Sequence, residues 1–322
     1  MAQASLTADE RRSAHLLFAE ELADGTVAAA DLARPEVERA VRSLQVPSAL
    51  LRRWQVRQVR QGRLDMEESA GPMLAAREAV LGPRAGGPPR LLVRLDAFPA
   101  PRAGVDVARA ATGALRAAGI PFLLTVVPRV PAAGAEGGRR RHDAAEADLL
   151  EDLRRDPGVT FGVGGLDGRP LDGLDPADLE AALDEADPVL ARYGMAPDIL
   201  VPPEGRIDLR RYRALAERYA LLCGGPGSVA TMGFHRTPLW RGDAVWMPVH
   251  PPLAGPPSQV ADAARALTRR QAALWLPVVL GLGDLDPSGL RDVAAALTGL
   301  ARPWEEFLAA ARAARASADA MA

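Results

Sequence analysis

One glycine-rich stretch combines backbone freedom with a carboxylate and an arginine: FGVGGLDGR, at 161–169. Loops of this kind can bring backbone N–H groups against a phosphate. A dinucleotide fingerprint GxGxxG begun at Gly162 would require glycine at position 167, where Asp167 stands. The stretch also continues into Pro170 and a second turn before any helix, so no helix N-terminus faces a bound anion. The alternative is a strand end from which reactive side chains have been removed.

Composition excludes several kinds of chemistry. The 322 residues contain no lysine and no asparagine, and the formal net charge is −2. A P-loop lysine, a pyridoxal phosphate Schiff base and N-glycosylation are therefore excluded. Because there is no overall basic field, we expect neither nucleic acid nor a membrane surface as a partner. We also expect no cofactor.

The single cysteine and the N-terminal residues indicate in which cellular compartment the protein is expected. Cys223 has no partner for an internal disulfide and reads as a small buried residue at a strand end. The N-terminus lacks an apolar run of secretory length, and no stretch of the chain approaches the length of a membrane-spanning helix. The sequence therefore predicts a cytoplasmic protein.

Residues 1–83 are predicted to form a helical segment. Thr7 and Glu10 have the spacing of a capping box, and apolar residues follow at helical intervals. Further helices are predicted at 35–44, 47–63 and 66–80. A Gly/Pro linker at 84–90, within LGPRAGGPPR, separates this segment from the rest of the chain.

The run LRRWQVRQVRQGR at 51–63 carries five arginines around Trp54. It has two interpretations, a basic nucleic-acid patch or a solvated helix face beside an apolar stripe. We favour the second, with Leu51, Trp54 and Val56 or Val59 forming the stripe.

From 91 to 322 short apolar runs alternate with amphipathic helices, which is typical of parallel strands covered by helices. The strands are predicted at 90–98, 121–128, 159–164, 198–203, 220–225, 244–249 and 274–283. The helices are predicted at 104–118, 143–155, 176–193, 208–219, 258–272, 287–299 and 303–316. Seven such strands favour an α/β fold with a closed or nearly closed barrel over an open doubly wound sheet, and an N-terminal α-helical segment precedes it. In either architecture function lies at the carboxyl ends of the strands.

The strand ends carry a series of motifs in a characteristic order. They read RLDAF, PFLLTVVP, FGVGGLDGR, VPPEGR, MPVHPPLAG and LPVVLGLGD. Over roughly residues 88–300 this series resembles the polysaccharide deacetylases, the NodB-like carbohydrate esterases. The resemblance implies a deformed (β/α)7-like parallel barrel, here with an N-terminal α-helical segment, and a divalent metal held by one aspartate and two histidines. In that family a second aspartate is the base and a later histidine the acid, and metal-activated water attacks an acetamido carbonyl.

Transferred position by position, the resemblance places Asp96 at the base. The metal-binding aspartate falls on Ala97 and the two histidines fall on Gly164 and Gly168. The acid falls on Gly281. Neither Gly nor Ala side chains offer a donor atom, so the resemblance predicts a metal site that has lost all three of its ligands.

Other polar residues remain as candidates at this end of the barrel. His250 and His235 follow strand ends and could join Asp96 as an acid/base pair or a weak metal site. An ion pair of Asp96 with Arg206 or Arg94 would stabilise its carboxylate. The candidate ligand-binding residues are Arg94, Asp167, Glu204, Arg206, His235 and Trp240. His15 and His142 read as ordinary surface or helix residues.

Three hypotheses follow. The first is a deacetylase-like pseudoenzyme that binds a sugar or a protein partner. The second is a metal-independent enzyme that acts on a carbohydrate through Asp96 and His250. The third is an adaptor that docks a biosynthetic partner through the N-terminal helices.

Overall fold

The structure is a computed structural model that describes residues 6–100, 104–131 and 138–321. Its helices are α1 (Ala8–Leu17), α2 (Ala19–Ala23), α3 (Pro35–Ser43), α4 (Arg53–Arg60), α5 (Met66–Leu81), α6 (Val105–Ala117), α7 (Ala144–Leu153), α8 (Pro176–Ala191), α9 (Leu209–Leu215), α10 (Val229–Met232), α11 (Pro257–Arg270), α12 (Pro287–Leu297) and α13 (Trp304–Asp319). Its strands are β1 (Gln45–Val46), β2 (Arg90–Phe98), β3 (Phe122–Val126), β4 (Val130–Pro131), β5 (Arg139–Arg140), β6 (Val159–Val163), β7 (Ile199–Leu200), β8 (Leu221–Cys223), β9 (Phe234–His235), β10 (Leu239–Arg241), β11 (Ala244–Met247) and β12 (Trp275–Gly281).

The main sheet has the strand order β10-β11-β8-β7-β6-β3-β2-β12. Every neighbouring pair is parallel except β10 with β11. The seven parallel strands coincide with the seven predicted from the apolar runs. Six of them follow one another in chain order, and the last strand, β12, pairs with the first, β2. This order is that of a (β/α) barrel, so the predicted fold class is confirmed.

The barrel is deformed at one place, between β11 and β12, which do not pair with each other. The segment that follows β11 bridges the gap instead. Val279 N donates to Leu253 O (2.8 Å), and Ala254 forms an isolated parallel bridge with Val279. The chain thus closes the circle with a loop in place of a strand pair.

Alternate residues of the strands pack in two separate cores. In β2, Leu91, Val93 and Leu95 belong to the large core shared with the surrounding helices. Leu92 faces the other side, where α13 contributes Trp304, whose indole Nε1 donates to Val93 O (2.7 Å). Because both faces are covered, the strands read as continuous apolar runs.

The N-terminal helices pack directly on the barrel. In α1, Arg12 Nε donates to Asp319 of α13 (2.7 Å), and β1 pairs with β9. From α5, Met73 enters the large core. The Gly/Pro stretch is also held in place, since Gly87 N donates to Gln271 O (2.9 Å). The helical segment therefore shares its core with the barrel.

The predicted helix at 47–63 begins only at Arg53. Leu51 lies before the helix in extended backbone, so it and Trp54 are not neighbours on one helical face. Val59 is buried against Val229 and Phe234, whereas Trp54 is 61% exposed. The prediction that Trp54 belongs to the buried stripe is therefore wrong.

Within the described ranges, no helix is both long and apolar enough to cross a bilayer.

Candidate ligand-binding cleft

A cleft of about 250 Å³ opens at the carboxyl ends of β2, β3, β6 and β7. Its lining residues are Asp96, Ala97, Pro99, Thr125, Val127, Pro131, Gly164, Asp167, Gly168, Val201, Pro202, Pro203 and Glu204. A second, more open region of about 410 Å³ shares Asp96, Ala97 and Glu204 with it and extends towards Gly281 and Pro226. Asp96 thus stands where the two regions of the cleft meet.

Asp96 is held by a two-point ion pair with Arg94, one of the two arginines expected to pair with it. Arg94 Nε donates to Asp96 Oδ1 (2.6 Å) and Arg94 Nη2 donates to Asp96 Oδ2 (2.8 Å). Residues i and i+2 of a strand share a face, which allows this pairing within β2. Thr125 Oγ1 donates to the same carboxylate at 3.3 Å. The carboxylate is fixed in orientation while its side chain remains 27% exposed.

Arg94 itself lies inside the protein, with only 1% of its surface exposed. Desolvation opposes its charge, but Asp96 raises the net pKa of Arg94 above its ordinary value, so the guanidinium is charged. Its Nη2 also donates to Gly224 O (3.2 Å), and its Nη1 has no hydrogen-bond partner among the described residues. The neighbouring Cys223 is wholly buried, and burial raises the pKa of its thiol to about 11. Cys223 is therefore a neutral thiol.

The four positions predicted to have lost their functional side chains all line the cleft. Ala97 lines both regions, Gly164 and Gly168 line the first, and Gly281 lines the second. Gly281 is also the register partner of Asp96 across β12 and β2. Together with Asp96 these positions line the two regions of the cleft. None of them carries a donor atom, so the residues present do not fit the metal that the resemblance implies. No group of three or more His, Cys, Asp or Glu residues within the described ranges is arranged to hold a metal ion.

Neighbouring side chains fill the space that a histidine at position 164 would need. A Cβ added to Gly164 would lie 3.1 Å from Thr125 Cγ2 and 3.2 Å from Val127 Cγ2, closer than ordinary contact. At Gly168 the nearest atom, Val127 Cγ1, is 3.9 Å away, but φ is +76°, a conformation that a side chain disfavours. The wall is therefore shaped for glycine at both positions.

Two non-glycine residues of the cleft have left-handed backbones. Ala97 has φ 63° and Glu204 has φ 55°. At Ala97 the register between β2 and β3 shifts, which is the mark of a β-bulge that redirects side chains. Such conformations cost free energy and are concentrated at functional sites. The surrounding structure holds both residues in place at the edge of the cleft.

The rim of the cleft carries paired charges. Asp167 accepts from Arg169 Nε (2.7 Å) and forms an ion pair with Arg139 (2.9 Å). Arg206 pairs with Asp172 (3.1 Å) and lies 3.6 Å from Glu204, so it does not reach Asp96. The predicted candidates Asp167, Glu204 and Arg206 are thus gathered at or beside the cleft, together with Arg94 and Asp96.

His250 and His235 do not line the cleft. His250 is completely buried, and neither ring nitrogen has a hydrogen-bond partner among the described residues. Burial lowers its pKa to about 3, with Arg236 adding to the effect. His235 is buried in β9, where its Nε2 bonds to Met232 O (2.8 Å), and burial lowers its pKa to about 4. The expected grouping of these histidines with Asp96 is not formed, because His235 within β9 and His250 in the segment after β11 are both buried in the core.

Trp240, a predicted ligand contact, is also buried away from the cleft. It lies in β10 and packs in the core with α13. The guanidinium carbon of Arg315 lies over its ring, 5.4 Å from the ring centroid. His15 is a helix residue, one of the two alternatives expected for it, and it is buried in α1, where its Nδ1 lies 3.1 Å from Ser317 Oγ of α13.

Sequence reasoning missed several residues that shape the cleft. Thr125 contacts Asp96, while Val127 and Val201 supply apolar wall. Each stands at or just past a strand end, as Asp96 does, but the β-branched residues read as ordinary strand residues. Their position at the carboxyl ends of β3 and β7 was the one feature of the sequence that could have predicted a place in the cleft.

The fold and the cleft together define a (β/α) barrel protein with an acidic cleft at the carboxyl ends of its strands. Solved polysaccharide deacetylases are among the structures that it resembles, as the motifs predict. A protein of Mycobacterium smegmatis assigned as a polysaccharide deacetylase is 16% identical, with 76% of this chain and 85% of that chain covered and a TM-score of 0.47.

Two further solved structures are similar at the same level. Puue allantoinase is 13% identical, with 69% of this chain and 89% of that chain covered and a TM-score of 0.47. A CE4 family pseudoenzyme from Bacillus anthracis is 7% identical, with 68% of this chain and 65% of that chain covered and a TM-score of 0.43. No family model and no curated protein matches the chain. Likeness at this level says nothing about activity, which has to be argued from the chain's own residues.

Proposed function

We propose that this protein is a deacetylase-like pseudoenzyme that binds a carbohydrate in the cleft around Asp96 and does not perform metal-dependent deacetylation. The observation that carries the proposal is the ring of Ala97, Gly164, Gly168 and Gly281 around an aspartate whose two oxygens are engaged by Arg94. The cleft contains a carboxylate and open volume, but it offers no donor set for a metal.

The lining of the cleft supports a polyhydroxylated ligand. Its charged lining groups in the smaller region, Asp96, Asp167 and Glu204, are all hydrogen-bond acceptors. Between them lie apolar surfaces that include Val201 and Pro202. A sugar offers hydroxyl donors at its edge and C–H groups on its faces, and it can satisfy both kinds of surface.

The charge balance supports a neutral ligand. Asp96 is paired with Arg94, Asp167 with Arg139 and Arg169, and Glu204 faces Arg206. The carboxylates can therefore accept hydrogen bonds from hydroxyl groups without requiring a cation to compensate their charge. An N-acetylated oligosaccharide is the natural probe, because it combines hydroxyl groups with an uncharged amide.

Metal content and deacetylation test the absence of a metal centre. The purified protein is incubated with zinc, dialysed, and assayed for bound zinc and for acetate released from tri-N-acetylchitotriose. We expect zinc well below one equivalent and no acetate above the blank. Stoichiometric zinc together with acetate release would refute the pseudoenzyme proposal.

Calorimetric titration with the same trisaccharide tests binding in the cleft. Glu204→Gln removes a carboxylate that lines both regions and is 65% exposed, so folding is not at risk. We expect its affinity to fall by roughly threefold to tenfold, the value of about one hydrogen bond to a charged group. Glu180→Gln, on the exposed side of α8, is the matched control and leaves affinity unchanged. Equal affinities for all three proteins would exclude the cleft as the site.

A further inference from the structure

The exposed side of α4 carries a stripe of arginines. Arg53, Arg57 and Arg60 recur at helical spacing and are all exposed, and Arg52 and Arg63 flank the helix at its two ends. None of these five forms an ion pair with a carboxylate of the described residues, whereas arginines elsewhere, such as Arg116 and Arg218, pair with two carboxylates each. We call Arg53, Arg57, Arg60, Trp54 and Leu50 the α4 surface.

One of these arginines, Arg53, stands where it does not favour the helix, whereas Arg57 and Arg60 lie in the last turn, where a cation suits the helix dipole. The first turn of α4 contains no acidic residue, and Arg53 is its first residue. A cation at a helix N-terminus opposes the helix dipole, while an anion there is stabilising. A carboxylate from another molecule beside Arg53 would therefore compensate both the helix dipole and an unpaired guanidinium, and carboxylates beside Arg57 and Arg60 would neutralise the other two guanidinium groups.

One exposed apolar side chain, Trp54, is on the same helix, and another, Leu50, ends the short turn that precedes it. Trp54 is 61% exposed and Leu50 is 72% exposed, although the other four tryptophans, at 240, 246, 275 and 304, are buried. Tryptophan and arginine are the residues most enriched at the energetic centres of protein interfaces. A nucleic acid would match the arginines but not Leu50. The combination points to a protein partner.

The helix that carries the α4 surface packs against residues near the cleft. Val59 packs with Val229 and Phe234, and α4 contacts the turn Pro226–Ser228, whose first residue lines the wider cleft region. Just past the same end of the helix, a Cβ on Gly62 would lie 3.6 Å from Ala254 O, in the segment that closes the barrel. The C-terminal end of α4 therefore packs on the barrel, close to the turn that lines the wider cleft region.

We propose that the α4 surface docks an acidic amphipathic helix of a partner protein. Its carboxylates, spaced at i, i+4 and i+7, pair with Arg53, Arg57 and Arg60, and an adjoining leucine or phenylalanine packs on Trp54 and Leu50. Docking there places the partner at the rim of the cleft. This inference is independent of carbohydrate binding and stands if that binding fails.

A designed peptide tests the proposal. The probe is a labelled helical peptide of about fifteen residues with glutamates at i, i+4 and i+7 and leucines on the adjoining stripe; a scrambled peptide of the same composition is its control. We expect the patterned peptide to bind the full chain and to shift the emission of Trp54 to the blue, because Trp54 alone among the tryptophans is exposed. Binding of both peptides alike, or of neither, would overturn the proposal.

Variants separate this surface from charge in general. Arg53→Gln/Arg57→Gln/Arg60→Gln should weaken peptide binding about tenfold or more, and Trp54→Ala should weaken it and abolish the spectral shift. The matched control, Arg109→Gln/Arg192→Gln/Arg213→Gln, removes the same charge from exposed positions elsewhere and should bind as the parent does. Equal loss in both triple variants would refute the assignment.

Two competitors test the class of partner. Duplex DNA of about fifteen base pairs and polygalacturonate carry dense negative charge without an apolar stripe. If either binds through the three arginines as tightly as the patterned peptide, the surface belongs to a polyanion and not to a protein. Self-association that the Arg53/Arg57/Arg60 variant abolishes would assign it to a second copy of this chain and would also overturn the proposal.

Discussion

Arg94 and Asp96, two residues apart on one face of β2, form an ion pair in which both carboxylate oxygens accept from the guanidinium, at 2.6 and 2.8 Å. Arg94 is buried and Asp96 faces the cleft. One arginine thus fixes the orientation of the carboxylate around which the cleft is built. The pair lets an aspartate remain at this position without a metal ion beside it.

Removing Asp96 should destabilise the protein because it leaves a buried guanidinium unpaired. We expect Asp96→Ala to lower the free energy of unfolding by about 3 kcal/mol. Urea denaturation of the parent and the variant measures the change. The double variant Arg94→Met/Asp96→Ala should recover most of the loss, since the unpaired charge is gone; a double variant that is less stable than Asp96→Ala would contradict this account.

Rebuilding the metal site should require more space than the missing ligands alone. In Ala97→Asp/Gly164→His/Gly168→His, the new histidine at 164 meets Thr125 and Val127. Adding Thr125→Ser and Val127→Ala removes those methyl groups, and we expect zinc affinity to rise by about tenfold or more. Competition with a chromogenic chelator measures it.

The control for the rebuilt site carries only the two space-making substitutions and should bind no zinc. If the triple variant binds zinc as tightly without them, the crowding seen at Gly164 is not limiting. If neither version binds zinc, the assignment of the ligand positions to Ala97, Gly164 and Gly168 is wrong.

Acid should weaken the protein through its buried histidines. Burial lowers the folded pKa of His250 to about 3 and of His235 to about 4, from an ordinary 6.5. Burial lowers the pKa of His15 and His142 as well. Between the folded and unfolded pKa values the unfolded chain binds more protons, so this stability is complete above pH 6.5 and is lost as the pH falls from 6.5 towards 4 for His235 and towards 3 for His250.

The variant His250→Leu measures how much His250 contributes to the pH dependence of the free energy of unfolding. Neither ring nitrogen of His250 has a partner, so an apolar side chain of similar size should be tolerated. We expect the variant to be more stable than the parent at pH 5 by about 1 kcal/mol or more and to lose less stability between pH 7 and pH 5. Urea denaturation at the two pH values measures this; identical pH slopes would show that His250 is not titrating on unfolding.

Removal of the N-terminal helices should unfold the barrel. Met73 from α5 belongs to the large core, and Leu16 from α1 belongs to the core that contains Trp304. A chain that begins at residue 84 would expose these contacts. We expect it to bind the dye ANS strongly and to lose its near-ultraviolet circular dichroism, whereas a truncation at residue 6 should do neither. A stable, native-like barrel from residue 84 would contradict the shared core.

The sequence alone predicted the parallel strands and most of the helices, because these depend on local patterns. Continuous apolar runs mark strands that are covered on both faces, and Asp143 and Asp175 cap the helices that follow them. The loss of donor atoms at Ala97, Gly164 and Gly168 is likewise a matter of residue type, which the sequence states outright.

Tertiary structure decided which strand-end residues share the cleft. Asp96, Glu204 and His250 all follow apolar runs, but the first two line the cleft whereas the segment after β11 turns His250 into the core. The pairing of Asp96 with Arg94, and the exposure of Trp54 on a helix that begins two residues after Leu51, depend on the same kind of detail. Local patterns determine where a strand or helix forms, but the direction of each side chain at its end depends on how the connecting segment packs against the rest of the protein.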